Sequence, residues 1–492
     1  MKKNYSTKKV LQGCLLFFMI ITTNMFGQVG IGTTTPNASS ILDLTSSTQG
    51  LLTPRMTTVE RMGIVSPADG LMVYDTNLKS FFHYDSSLST WNKLNSDGNY
   101  GRIKFKRIKS TDVLATVLAA EKTAGGGSKY LLDTGTLYEI NGTINLDFPI
   151  ELNNAYLIGQ DSSEDKLVKA SGDLFTGTTG GSVRVLTLTA AAGKVFNITG
   201  GGTQNLVFRD AIVASSSNVG VIDGFSLVFV SIVQYTANTT GIIYKDVSKL
   251  LISNAGWFGN NSGTYETLQG TFGLIQKGGG FTEVNGTSVG LDVSSNPTII
   301  GDALLEMVVF TGTNTSGYVK GYTIGSYKGF SFNDRWNVRS SGIPVEGDAV
   351  ASGDVNFNYD VGSGASTTIT GLNTPVKLAG TTTSATLYRF ADGGTNNKLI
   401  YKGSKRRYFL AAAIFSFQSS VATDGVFIFY VAKNGVVINQ SKVYCGVNLS
   451  DIDSGTILTK IDMSTNDYLE AWVSRFSGTG NVLTVSLNLV VN

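Results

Sequence analysis

The chain is short of the residues from which most enzyme sites are built. Its 492 residues include one histidine, His83, and two cysteines, Cys14 and Cys445. A nucleophile triad needs a histidine beside its nucleophile. His83 lies inside the aromatic run S-F-F-H-Y, where packing or surface placement accounts for it. Zinc signatures need several Cys or His at fixed spacing, and the chain has no such set. The triple glycines at 125–127 and 278–280 precede no Lys-Ser/Thr pair and no strand-to-helix junction, so they read as loops rather than phosphate cradles. No catalytic residue, metal or other cofactor is predicted.

Charge is scarce, with Asp, Glu, Lys and Arg making up 15% of the chain, and there are only 7 prolines. Lys2, Lys3, Lys8 and Lys9 precede the apolar run Leu15–Ile21, which is too short to span a membrane. This pattern predicts a signal peptide over 1–28, cleaved near Gly27 or Gln28. A rival reading is the lipoprotein-like L-Q-G-C ending at Cys14, but there the apolar stretch follows the cysteine instead of preceding it. Without the first 28 residues, 34 basic residues face 36 acidic ones, which removes the electrostatic case for nucleic acid. The predicted location is outside the cell or on its surface, without a transmembrane anchor; a virion is also compatible. Cys445 is then the only mature cysteine, so no intrachain disulfide can form.

What the chain has in quantity is glycine (58), phenylalanine (26) and tyrosine (20), within 42% apolar residues. That mixture predicts an all-β chain with many tight turns. From Tyr130 onward, short apolar runs alternate with Gly, Asn, Asp or Pro: Tyr130–Leu132, Leu137–Ile140, Ile144–Leu146, Ile150–Leu152, Tyr156–Ile158. None is long enough to build a sheet alone, but stacked coils of them bury a continuous core. At 20–25 residues per coil, a usual solenoid period, the region to about 372 predicts on the order of ten coils. A positive mean hydropathy with so little charge suggests that partner subunits cover part of the surface.

The first unit, 29–98, holds V-G-I-G-T-T-T-P, I-L-D-L, G-L-L-T-P-R-M-T-T-V-E-R and P-A-D-G-L-M-V-Y-D-T, and closes on Trp91. These motifs resemble the N-terminal region of secreted fibre-like proteins of Bacteroidetes and their phages. The resemblance covers about a fifth of the chain and implies an attachment or trimerisation unit. Short strands are expected at Leu71–Tyr74, Ser80–Tyr84 and Trp91–Leu94, and a helix at Thr57–Met62 capped by Thr57 or Thr58. So few strands make a marginal core, to be completed by copies of the same unit.

A linker and capping helix are predicted over 99–125. G-R-I-K-F-K-R-I-K at 101–109 reads as an exposed strand with its charges in water, and Thr111–Ala120 as a helix capped by Ser110 or Thr111. The helix and the runs that follow it resemble the first coil of pectate-lyase-like right-handed parallel β-helices, phage tailspikes included. This implies a parallel β-helix over 126–372.

Beyond Asn373 the apolar runs lengthen, as at Arg407–Phe417 and Tyr468–Phe476, and Asn434-Gly435 signals a hairpin. Y-F-L-A-A-A-I-F-S-F, F-I-F-Y-V-A-K-N-G-V-V-I and L-T-K-I-D-M-S-T-N-D-Y-L-E-A-W-V-S resemble jelly rolls of the complement and tumour-necrosis-factor type. Asn466-Asp467 stands where that family has Gly-Asp. The resemblance implies an antiparallel jelly-roll trimerisation or binding domain over 373–492. Phe415, Phe417, Phe427, Phe429 and Tyr430 exceed what one sandwich face needs, and a three-fold subunit seam is expected to use the remainder.

The expected protein is an exported homotrimeric fibre or spike that attaches to a surface glycan or receptor. Its candidate binding residues are Trp257, Phe258 and Tyr265, in and beside the turn-rich W-F-G-N-N-S-G, where exposed rings would stack on sugars. The alternative is a tailspike-type polysaccharide depolymerase using two carboxylates from neighbouring coils. Asp210, Asp223, Asp246, Glu266, Glu283, Asp292 and Glu306 are the acids in position, without diagnostic spacing.

Overall fold

The computed structural model describes residues 27–94, 104–394, 396–420, 424–448 and 451–492. The predicted leader, apart from its last two residues, and residues 101–103 of the basic run lie outside them. The chain divides into two units, Met1–Arg102 and Ile103–Asn492.

In the first unit a four-stranded sheet contains Arg55–Met56, Met72–Asp75, Ser80–Asp85 and Thr90–Lys93 in that order. The helix Thr58–Met62 opens on a full capping box: Thr57 accepts from the Glu60 amide, and Glu60 accepts from the Thr57 amide. Arg61 is buried against Asp75 at 3.0 Å, and its guanidinium lies 4.0 Å above the Phe82 ring. Among the described residues of this unit, Val73 and Phe82 are the buried apolar ones, while Ile41, Leu51, Leu52, Val59, Met62, Val65 and Leu88 are exposed. A core of that size is weak for a free-standing domain.

The second unit begins as a parallel β-solenoid of about eight turns. Two long parallel sheets run its length, and in both the side chains of successive coils stack in register. One inner row is Tyr138, Leu157, Val183, Phe208, Val230, Ile252, Lys277, Leu305 and Val338. The facing row is Tyr130, Ile150, Phe175, Phe196, Gly220, Ile242, Glu266, Leu291 and Val319. Period-2 alternation buries one face of each short strand, and stacking gives that face a neighbour above and below. Loops looped out between strands stretch several coils past the expected period, so fewer coils fit than the ten expected.

The strands Asn205–Ala214, Leu227–Thr236, Lys249–Trp257, Leu274–Glu283 and Ala303–Thr311 each turn a corner, with parallel pairing interrupted at the corner and resumed beyond it. A left-handed residue marks each corner: Asp210, Ile232, Asn254, Gly279 and Met307, with φ between 52° and 68°; Gly280 follows Gly279 with φ 80°. Glycine suits that conformation and a β-branched residue resists it, yet Ile232 is held there by paired neighbours on both sides. The triple glycine 278–280 is therefore part of a strand, not a loop.

Two further expectations are corrected here. Phe105–Lys109 is the first strand of the solenoid, paired with Leu137–Asn141, and its charges are engaged: Lys106 lies 2.5 Å from Glu121 and Arg107 2.7 Å from Glu139. The helical segment splits into Leu114–Val117 and Ala119–Ala124, and the residue before the first piece is Val113, which offers no capping side chain. Leu114, Val117 and buried Leu118 cover the open end of the core.

Parallel pairing ends at Trp336–Ser341 and antiparallel pairing begins at Ser352–Asn358. One sheet then orders Ser352–Asn358, Val482–Val491, Arg407–Ser419 and Asp453–Met463; the other orders Leu399–Tyr401, Tyr468–Ser477 and Gly425–Lys433, with Val443–Val447 also paired to the last. Asn434 and Gly435 take positive φ in the hairpin after Lys433. Asn466 does so too (φ 68°), supplying the left-handed residue that glycine would otherwise provide. Phe415, Phe417, Phe427 and Phe429 interlock between the two sheets, and Tyr430 is buried as well. The expectation that a remainder of these rings is left for a subunit seam is corrected: the facing sheet absorbs four of them, and Tyr430 is buried too. Cys445 is buried in the same core, and burial pushes its thiol up to about 11.

Candidate functional site

The aromatic residues singled out in the sequence do not form an exposed platform. Trp257 is 0% exposed and lies between Tyr235, 3.9 Å away by ring centroids, and Tyr265 at 5.1 Å, all three rings nearly parallel. Tyr235 and Trp257 are partners in adjacent strands, so the stack is a continuation of the coil core. The Tyr265 hydroxyl donates to the Glu283 carbonyl at 2.9 Å. Trp257 and Tyr265 therefore have no free ring face for a sugar. Phe258 alone reaches the surface, edge-on to Phe281 at 5.0 Å. Turn-like spelling around Trp257 hid a strand that runs up to it.

The seven acids are spread over the coils, and six of them are held in ion pairs or hydrogen bonds; Lys245 reaches two, Asp223 at 2.9 Å and Asp246 at 3.8 Å. Asp210 pairs with Arg209 (2.7 Å), Asp223 with Lys245 (2.9 Å), and Asp292 with Lys320 (3.2 Å). Asp246 accepts from the Thr271 amide, and Glu283 from the Gly259 amide at 2.9 Å. Burial works against the Asp292 anion, but the Ser294 hydroxyl and amide, with Lys320, hold its carboxyl below the usual range. Glu266 is inside the core with Lys277. Several of these pairs tie one coil to the next, as Asp223 to Lys245 and Asp292 to Lys320 do at matching positions. Glu306 is half-buried, one residue beyond the inward Leu305, and is opposite Gly278 in the neighbouring strand. Among the described residues there is no group of three or more His, Cys, Asp or Glu that could hold a metal ion.

Two surface grooves among the described residues carry polar side chains from several strands. The first, about 330 Å³, follows the corner of the solenoid between Phe229, Leu251, Ser253, Asn254, Gln276 and Met307. The second, about 530 Å³, lies on the outer face of the C-terminal sheet. Asp354, Asn356, Asn358, Thr386, Ser486 and Asn488 give it a polar floor, and Ile414 and Val490 an apolar edge. Asp354 is fixed there by the Thr386 amide at 2.7 Å, the Thr386 hydroxyl at 2.8 Å and Asn356 at 2.6 Å. Burial would raise its carboxyl, and these donors lower it below the usual value. Tyr408, Leu410, Ile414 and Leu458 are exposed on the same face. Sequence reasoning missed this site because its residues come from Ser352–Asn358, residues 385 and 386, Arg407–Ser419 and Val482–Val491, far apart in the chain. The one readable signal was the apolar outward half of Y-F-L-A-A-A-I-F.

Residues 30–111 match the family model of a phage tail like trimerisation region. That stretch contains the whole first sheet and the first strand of the solenoid. No curated protein sequence matches the chain. Among solved structures it is similar to the enzymatically active domain of tailspike protein 4 of bacteriophage CBA120, at 10% identity over 89% of this chain and 77% of that one, TM-score 0.26. A Geobacillus virus E2 protein, ORF18, is similar at 10% identity over 83% and 89%, TM-score 0.25. The tumour-necrosis factor Eiger of S. frugiperda is similar at 11% identity over 28% of this chain and 89% of its own, TM-score 0.17. Among the described residues, no helix is long and apolar enough to cross a membrane.

Proposed function

We propose that the protein is a homotrimeric phage tail fibre- or spike-like structural protein whose C-terminal domain attaches to a surface glycan or receptor. The observation that carries this reading is the trimerisation region at 30–111 placed directly ahead of a long solenoid. The exposed apolar residues of the first unit fit a core completed by two sister chains. In this reading, 29–98 assembles the trimer, the solenoid is the shaft, and the terminal antiparallel sheets bind. Their strand order supports a jelly roll. Export through the leader at 1–28, secretion or display at a cell surface, and an origin in Bacteroidetes or their phages belong to the same proposal.

The groove beside Asp354 and Asn488 is the preferred contact. Its hydroxyl and amide groups suit sugar hydroxyls, and three copies raise avidity without tight single sites. Binding of the full-length protein to immobilised bacterial surface polysaccharide tests this. Retention that is lost in Asn488→Lys, with the trimer intact, supports it; retention unchanged by that substitution moves the contact elsewhere. The depolymerase alternative predicts release of new reducing or unsaturated ends from the same polysaccharide. The engagement of six of the seven solenoid acids in ion pairs or backbone hydrogen bonds favours binding over cleavage.

A further inference from the structure

Lys277 and Glu266 break two otherwise apolar inner rows, and they break them in the same coil. Lys277 continues the row Val230, Ile252, Leu305, and Glu266 continues the row Ile242, Leu291. Their side chains are 4% and 2% exposed, and Nζ lies 2.7 Å from Oε2. That approach lacks hydrogen-bond geometry, and neither Nζ nor either carboxylate oxygen has another partner. An ammonium offers three donors and a carboxylate about four acceptor sites, so the charged pair leaves most of its hydrogen-bonding capacity unused in an apolar core. Such a pair is held at a high desolvation cost.

We propose that Lys277 and Glu266 condense into an isopeptide amide within the folded solenoid. With a carboxyl C–O bond of about 1.23 Å, Cδ lies within about 4 Å of Nζ, close to the separation of a near-attack arrangement. One proton passes from Nζ to the carboxylate, giving a neutral amine and a neutral acid. Nζ then forms a bond to Cδ, the Cδ–Oε bond breaks, and the hydroxyl leaves with an amine proton as water. No oxidant, reductant or activated group is consumed. The product replaces two buried charges with one N–H and one C=O.

Donors for that new carbonyl stand nearby. The Tyr235 and Tyr244 hydroxyls interact with each other and with Glu266. Both are buried without a well-formed hydrogen bond. Glu266 belongs to strand Thr264–Gln269 of one long sheet and Lys277 to strand Leu274–Glu283 of the other. The amide therefore staples the two sheets through the core, whatever the shaft binds.

Mass spectrometry of peptides from the denatured full-length protein tests this. Trypsin is expected to skip the bond after Lys277, and the peptide spanning residues 266 and 277 to weigh one water less than its sequence requires. Chymotryptic cleavage after Leu268 or Phe272 should leave the two halves joined, and fragmentation should place the link on Lys277. In Lys277→Met the mass deficit should vanish. Cleavage after Lys277 with full sequence mass in the wild-type protein overturns the proposal. So does a deficit that persists in Lys277→Met. The decisive reading is made on the wild type, so a misfolded variant does not blunt it.

Discussion

Arg389 donates to Asp348 at 2.5 Å with its side chain only 1% exposed. The same guanidinium reaches the carbonyls of Asp334 (2.9 Å) and Trp336 (2.5 Å) in the last coil, while the other Asp348 oxygen accepts from the Ser404 hydroxyl and the Lys405 amide. One buried ion pair thus joins the end of the solenoid to the first strands of the terminal sandwich. Removing one member strands the other charge, a loss of about 3–5 kcal/mol. Arg389→Met should lower stability by that amount, measured by denaturant unfolding. A midpoint unchanged from wild type would show that the join is held elsewhere.

Asp354 gives a pH dependence. Its carboxyl is held below the usual range in the folded protein by Thr386 and Asn356 despite its burial. A group with a lowered folded pKa stabilises the fold above its unfolded pKa of about 3.9. That contribution is lost as pH falls from there through the folded value. Thermal unfolding scans across acid pH should therefore show a shallower decline for Asp354→Asn than for wild type, together with a lower plateau at neutral pH.

Trp257 is a core residue by position. Truncating a buried tryptophan costs about 3–5 kcal/mol. Trp257→Ala should lose that much stability, while Phe258→Ala, at the surface, should lose much less. Paired denaturation curves check this, and equal small effects would return Trp257 to the surface.

Ile232 carries backbone strain without visible compensation from its side chain, which is 53% exposed. A left-handed conformation costs an ordinary residue about 1–2 kcal/mol, and asparagine less. Ile232→Asn should raise the stability of the solenoid by about 1 kcal/mol in the same assay. A loss instead would mean that the exposed isoleucine is covered by another chain in the assembled protein.

The solenoid was legible because stacking demands a recurring apolar residue at each inner position, and Leu157, Val183, Phe208, Val230 and Ile252 supply it. The capping box at Thr57 and the hairpin at Asn434-Gly435 were legible because both signals are local. Phe105–Lys109 was not, since Lys106 and Arg107 find their acids in Glu121 and Glu139, many residues on. Nor was the fate of Phe415 and Phe427: which face a ring takes depends on the sheet that closes over it. The groove at Asp354 escaped for the same reason, being assembled from strands at both ends of the terminal domain.

Assembly underlies the functional account, and the mass of the particle in solution tests it most directly. Size-exclusion chromatography with light scattering on the purified protein should return three times the chain mass, falling to one chain when residues 30–111 are deleted. A well-folded, full-length particle with the mass of a single chain would contradict the account.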